Sequence, residues 1–458
     1  MRRKVDDFLD SWYQKPKPIR RCLVVQGLRQ CGKTFVVSRF LSNKFAGKHA
    51  VISLKQDSGF CRKLEGVADC SHLEEVIAFK IAKKLSLTDR FALFVDDVEL
   101  APHLSPFFWQ LTNRHPGLYV ILGCTHPEVG VRASSRFFPV GRYDHYYMGA
   151  MDFEEFLWGL GLEEQAAELA LVAKGVLSLT GDGIEEASVW AERLSPIHGR
   201  LMELLLVYEV VGGMPSAVKV YAENRDIHTV RDAQEKLWTT IEADFTDLIR
   251  RKCLSRKVAS VLPKVLDNME SFCQRVEYST IPSVHSETVK KAIKALQQMG
   301  VVIVQQYSSA VKRPLATGAT PKGHRLFMAD TGLWHAFKKT APNVGKALNV
   351  PQGFLVAELT KVLSGASRRN PAYFWKNKNQ RDGAVVEALV ASSRQTLALN
   401  TQKGLSSSSK SLASFKKRFD DKEDSFLRLL CGLCSHEPLG QAKGADIRIP
   451  YYLIPFLL

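Results

Sequence analysis

Gly27-Leu28-Arg29-Gln30-Cys31-Gly32-Lys33-Thr34 fits the pattern G-x-x-x-x-G-K-[ST] at every fixed position. The apolar run Cys22 to Val25 precedes it and the amphipathic stretch Phe35 to Phe40 follows. Strand, glycine loop, helix is the order that gives this pattern a mechanism. Gly27 and Gly32 let the backbone curl so that successive N–H groups face phosphate oxygens, and the helix adds the positive end of its dipole. Lys33 then reaches the β and γ phosphates of a nucleoside triphosphate, and Thr34 holds Mg²⁺. A second element completes such a site. Phe91 to Val95 is an apolar strand ending in Asp96 and Asp97, about 60 residues after the loop. The first acid at that strand end orders the Mg²⁺ shell, and the acid beside it orients the attacking water.

Outward from the loop, helix and strand patterns alternate to about residue 150. A helix is expected over Val5 to Trp12, with strands near Leu23, Ala50 to Leu54, Phe91 to Val95, Tyr119 to Leu122 and Tyr143 to Met148. This alternation implies an α/β fold, a parallel sheet with helices on both faces. From Met151 to about Arg250 helical periodicity replaces strand signals, as in Phe153 to Trp158 and Glu163 to Val176. Next come a helix, a short β-like piece at Val276 to Ile281, a helix over Glu287 to Met299 and a strand at Val301 to Gln305. Val289, Ile293, Leu296 and Met299 share one face of that second helix, with Lys290, Lys291 and Lys294 flanking or opposite. The segment reads either as a winged helix or as a core helix with a solvated basic face. Lys312, Arg313, Lys322 and Arg325 surround the stretch that would form the wing. The last third mixes strands, including Ala372 to Trp375 and Thr396 to Leu399, with helices. Ser406 to Ser409 and Lys416 to Asp424 read as exposed loop or linker, and the apolar tail Ile449 to Leu458 as a segment that docks on a core or a partner. The divisions expected are 1–150, a triphosphate-binding core; 151–252, a helical subdomain; 253–335, a winged-helix-like segment; and 336–458, a C-terminal domain with the tail.

A chain of 458 residues exceeds one hydrophobic core. No signal-peptide pattern opens it and no apolar run is long enough to span a bilayer, so a cytoplasmic location without a membrane span is expected. Nine scattered cysteines fit reduced thiols better than a disulfide framework. The net charge of +16 and pI near 9.4 suit a nucleic-acid partner, an anionic membrane surface or plain solubility.

The paired motifs resemble those of prokaryotic AAA-like ATP-binding proteins of the AAA+ superfamily, whose C-terminal half is known as a domain of unknown function. Further similarity lies in Phe138-Pro-Val-Gly-Arg142, Met151-Asp-Phe-Glu-Glu-Phe-Leu157, Gly212-Gly-Met-Pro215, Ala217-Val218, Asp244-Phe245 and Ala329-Asp-Thr-Gly-Leu333, in the family's order. The resemblance implies a P-loop ATPase with ATP and Mg²⁺ as cofactors, followed by a helical subdomain, a winged-helix-like segment and a fold like that of restriction endonucleases. It further implies that Arg29, Gln30 and Cys31 belong to the phosphate loop and that Arg142 senses or stabilises the γ-phosphate. Double-stranded DNA and further copies of the chain are the partners it suggests.

Departures from the family narrow this reading. Asp97 stands where the family has its catalytic glutamate, one methylene shorter, so slow hydrolysis is expected. Gly123-Cys124-Thr125 replaces Gly-Ser at the next strand end, leaving Thr125 or the weaker donor Cys124 as polar sensor. In the nuclease-like part Glu358 fills the first acidic position, but Asp382-Gly-Ala384 and Asn400 with Gln402 fall at the other two, with Glu387 nearby. Most of the groups that would bind Mg²⁺ and activate water are missing, so nuclease activity is not expected. Cys431, Cys434 and His436 have metal-like spacing without a second pair, and His103, His115 and His126 lack the helical spacing of a metal pair. Trp375 reads as core or as a base-stacking residue. Two functions emerge: a Mg²⁺-dependent ATPase that moves domains, or a nucleotide-gated DNA-binding adaptor or scaffold with little turnover.

Overall fold

The computed structural model describes every residue except 17–20, 82–89, 126–140, 179–183, 253, 312, 340–350, 366–371, 378–383, 393–394, 402–408, 420–425, 433–438 and 440–446. His126, Phe138 to Val140, Lys312, Asp382, Gln402, Ser406 to Ser408, Asp420 to Asp424, Cys434 and His436 therefore lie outside the described residues, as does the side chain of Lys322.

Helix α1 (Lys4–Gln14) buries Val5, Leu9 and Trp12, the i, i+4, i+7 spacing of a single helical face. Strands β1 (Cys22–Gly27), β3 (Phe91–Asp96) and β4 (Leu118–Cys124) are buried at every position, as parallel strands covered on both faces must be. With β2 (His49–Ser53) and β5 (Tyr143–Met148) they form a parallel sheet in the order β2-β3-β4-β1-β5. Helix α2 (Lys33–Phe45) follows the loop, and α3 (Ser58–Glu65), α4 (Cys70–Lys80) and α5 (Ser105–Arg114) complete the crossovers. All five expected strands are present. Because β4 lies between β1 and β3, the residues after Gly123 emerge between the glycine loop and the Asp96-Asp97 pair.

A helical layer follows, with α6 (Phe153–Gly159), α7 (Glu163–Ser178), α8 (Ile184–Val211), α9 (Pro215–Asn224) and α10 (Ile227–Arg251). Short helical turns between residues 256 and 272 lead to α11 (Ser286–Gln298), which buries Val289, Ile293 and Leu296 and exposes Lys290, Lys291 and Lys294 as its periodicity demands. Val276 to Ile281 is not a strand. It holds a 3-10 turn at Tyr278–Thr280, and one backbone bond from Val276 N–H to the His324 carbonyl is its β-like feature.

Strands β6 (Val302–Ser308) and β7 (Ala319–Met328) make an antiparallel hairpin. After α12 (Thr331–Lys338) and α13 (Pro351–Leu363), β8 (Tyr373–Lys376), β9 (Val385–Ala391), β10 (Thr396–Thr401), α14 (Lys410–Phe419), β11 (Phe426–Gly432) and β12 (Ile447–Pro450) extend the same sheet. Its order is β12-β11-β10-β9-β8-β6-β7, so a single sheet crosses the expected division at 335/336. Arg325 does not join an exposed basic wing: it is buried with its guanidinium 4.5 Å from the centre of the Phe374 ring. Lys416 to Phe419 is helical rather than a linker, closing α14 against Trp375 through Phe415 and Phe419, so Trp375 is a core residue. The tail folds back as a buried 3-10 segment, Tyr451–Phe456, with the Tyr452 hydroxyl 2.7 Å from His198 Nδ1. Its apolar character is therefore satisfied inside the chain. No helix among the described residues is long and apolar enough to cross a membrane.

A buried polar knot ties these layers together. Lys361 Nζ lies 2.8 Å from Glu358 Oε1 and 3.0 Å from Asp330 Oδ2, and donates to the Tyr208 hydroxyl at 2.8 Å. Tyr208 in turn donates to Glu358, while the Phe153 and Gly213 N–H groups donate to Glu358 and Asp330. Glu358 thus serves as an internal counter-ion. Burial alone would lower the Lys361 pKa, but Glu358 and Asp330 together hold it above the usual lysine value. Truncating the lysine leaves two buried carboxylates without their cation. Lys361→Ala is expected to cost about 3–5 kcal/mol of unfolding free energy in a urea titration.

Candidate functional site

The loop between β1 and α2 closes tightly on β5. A Cβ on Gly27 would stand 1.9 Å from the Met148 carbonyl oxygen, and Gly32 caps α2 at φ 95°. Both positions require glycine, the second because positive φ strains any side chain. No side chain caps α2 at Gly32. Lys33 Nζ donates to the loop's own Gly27 and Leu28 carbonyls at 2.9 and 3.0 Å. Thr34 donates its hydroxyl to Asp96 Oδ2, which joins the loop helix to β3.

Gln30 is exposed and also takes positive φ, 61°. The Cys31 side chain lies beneath the loop, its thiol donating to the Met148 carbonyl at 3.3 Å. The Cys31 carbonyl accepts from Arg3 Nη1 at 2.8 Å, while Arg3 is also ion-paired to Glu155 at 2.9 Å. Cys31 and Arg3 therefore support the loop from below.

Asp97 takes a left-handed conformation, φ 58°, and accepts from the Ser53 hydroxyl at 3.3 Å. Burial, then Asp96 and Glu99, raise its pKa. Glu99, two residues on, accepts the Thr125 N–H at 3.2 Å through Oε1, while Oε2 is shut from solvent and has no partner among the described residues. Burial raises its pKa as well. Of the two sensor alternatives, Thr125 rather than Cys124 lines the cleft at the loop.

Helix α10 roofs that cleft through Ile241, Asp244, Asp247, Leu248 and Arg251. Asp244 lies 2.8 Å from Arg29 Nε and 3.2 Å from Lys55 Nζ, so one carboxylate joins the helical layer to the loop and to the segment after β2. Asp247 lies one turn on and pairs with Arg250 at 2.7 Å.

Arg142 does not reach this site within the chain. Cys22 pairs with Tyr143 and Gly27 with Met148, so Arg142 stands at the far end of the strands, about 20 Å from the loop at roughly 3.3 Å per residue. It is exposed, its guanidinium 4.1 Å from the Trp109 ring centre. His103 and His115 are used locally, near the Leu64 carbonyl at 3.1 Å and Glu74 at 2.8 Å. No metal-ligating cluster of His, Cys, Asp and Glu occurs among the described residues. In the second sheet Glu387 accepts from Gln352 and from the Thr401 N–H, both at 2.6 Å, and its own N–H donates to Asn400.

Glu99, Ser53, Lys55 and the buried Arg3 escaped the sequence reading. Glu99 was detectable as a third acid after the same strand, whereas the others emerge only from long-range packing.

Residues 19–157 match the model of a family described as AAA domain, and residues 202–343 match that of a family described as Domain of unknown function (DUF8612). The first match together with the sheet gives this part of the chain the fold of a P-loop nucleoside triphosphatase. A search of curated proteins finds no match. Among solved structures, the Aeropyrum pernix Orc1 protein in complex with DNA is 13% identical, with a TM-score of 0.29, covering 73% of this chain and 90% of that one. C. elegans PCH-2 is 12% identical, with a TM-score of 0.30, covering 50% of this chain and 67% of that one.

Asp97 yields a pH-dependent prediction. A carboxyl whose folded pKa is raised costs stability as pH rises through that pKa, and costs nothing below the unfolded value. The nucleotide-free Asp97→Asn protein is therefore expected to melt above wild type at pH 7.5, with the gap closing toward pH 4 in thermal scans.

Proposed function

We propose that the chain is a Mg²⁺-dependent ATPase in which the nucleotide reorganises the contact between the phosphate loop and helix α10. The observation that carries this reading is the Thr34–Asp96 hydrogen bond beside the uncapped α2 terminus. A hydroxyl and a carboxylate, both hard oxygen donors, suit Mg²⁺, which when bound neutralises developing phosphate charge. Lys33 exchanges the Gly27 and Leu28 carbonyls for phosphate oxygens, and Thr125 senses the bound nucleotide. Phosphate also competes with Asp244 for Arg29 and Lys55, which links nucleotide state to the helical layer.

A second reading has a separate support. The exposed row Lys290, Lys291 and Lys294 on α11, followed by the β6–β7 hairpin, favours a winged helix that contacts double-stranded DNA phosphates. The order α13-β8-β9-β10-α14-β11 supports a restriction-endonuclease-like scaffold. Glu358 and Glu387 are engaged internally, so that scaffold serves binding rather than cleavage. A homo-oligomer is the arrangement in which the exposed Arg142 serves a neighbour's nucleotide.

Two measurements test these readings. In calorimetric titrations with Mg·ATP, Lys33→Ala is expected to weaken binding at least about tenfold, whereas Asp244→Ala strengthens it by removing a competitor for Arg29; unchanged affinity in both variants rejects the site. Replacing Lys290, Lys291 and Lys294 together by alanine is expected to flatten the dependence of duplex-DNA affinity on log salt by about two to three.

A further inference from the structure

The cleft beside the phosphate loop contains a carboxylate that the loop motif and the strand-end acids do not account for. Glu99 Oε1 is fixed by the Thr125 N–H, while Oε2 is buried with no partner among the described residues. The residue lines the cleft together with Arg29, Asp97 and Thr125. Asp97 is less well placed. Its side chain is one methylene shorter than the glutamate usual at its position, its backbone is turned to φ 58°, and Ser53 holds its Oδ2 toward the end of β2.

We infer that Glu99, not Asp97, accepts the proton of the attacking water during ATP hydrolysis. The inference rests on the ATPase reading and assigns a catalytic residue within it. The water oxygen forms a bond to the γ-phosphorus, the bond from that phosphorus to the β–γ bridging oxygen breaks, and ADP leaves. The water proton passes to Glu99 Oε2 and from there to phosphate or solvent. Thr125 orients the carboxylate through its N–H, and Asp97 stays a positioning residue beside Asp96. In the described state α10 covers the cleft through Asp244, so water reaches Oε2 when nucleotide releases Arg29 and Lys55.

The test compares the full chain with Glu99→Gln and Asp97→Asn, measuring steady-state hydrolysis and Mg·ATP binding by calorimetry. Glutamine keeps the acceptor for the Thr125 N–H, so a purely structural role for Glu99 leaves kcat nearly unchanged. The expected result is a kcat lowered about 100-fold or more in Glu99→Gln with Kd for ATP within about threefold of wild type, and a smaller kcat loss in Asp97→Asn. Glu99→Gln turning over within about threefold of wild type overturns the assignment, as does a wild-type protein that binds ATP without hydrolysing it. A wild-type protein that fails to bind ATP overturns the ATPase reading itself, which separates the two failures.

Discussion

Thr34, on the helix that follows β1, donates a hydrogen bond to Asp96 at the end of β3, past β4 that lies between those two strands, and the candidate site is organised around that reach. The contact requires β4 to carry no side chain where the Asp96 carboxylate passes. Gly123 meets this need: a Cβ there would stand 2.1 Å from Asp96 Oδ1. On the other side of β1, the β5 carbonyl at Met148 leaves equally little room above Gly27. The two glycines therefore act at opposite borders of the loop. One lets the loop settle onto β5, and the other lets the acid reach the loop helix.

Two sets of contacts around this sheet differ in how readily they give way. The Lys361, Glu358, Asp330 and Tyr208 knot is fully buried, and opening it would expose uncompensated charge. It ties α8, the start of α12 and α13 to the Gly212-Gly213 turn and the start of α6. The Asp244 contacts to Arg29 and Lys55 are partly exposed, so solvent can replace them at little cost. Rearrangement is thus easiest where α10 meets the phosphate loop.

The glycine loop, the five strands of the first sheet and the lysine face of α11 were legible in the sequence because each depends on local pattern: a spaced motif, an apolar run, a helical period. The second sheet was less legible. β9, β11 and β12 lie in the last third, where the strands given bounds are those of β8 and β10, and the seven-stranded sheet joins segments that the sequence divides into two domains. Arg325 shows the limit clearly. Among other basic residues in a hairpin it reads as surface, yet it lies over Phe374, a partner some fifty residues away. The site followed the same rule. The spacing that picks out Lys33, Thr34, Asp96 and Asp97 brings them to one end of the sheet, whereas strand register, which the sequence does not show, puts Arg142 at the opposite end of the strands. Asp244 was noticed as a motif, but its pairing with Arg29 depends on how α10 crosses the sheet.

Hydrogen–deuterium exchange on the full chain, with and without Mg·ATP, tests the central claim most directly. If residues 28–34 cradle phosphate and Asp244 gives up Arg29 when it arrives, ATP will slow exchange in the loop and first turn of α2 and change exchange in the 241–251 half of α10. Identical exchange in both segments at saturating ATP would contradict the account.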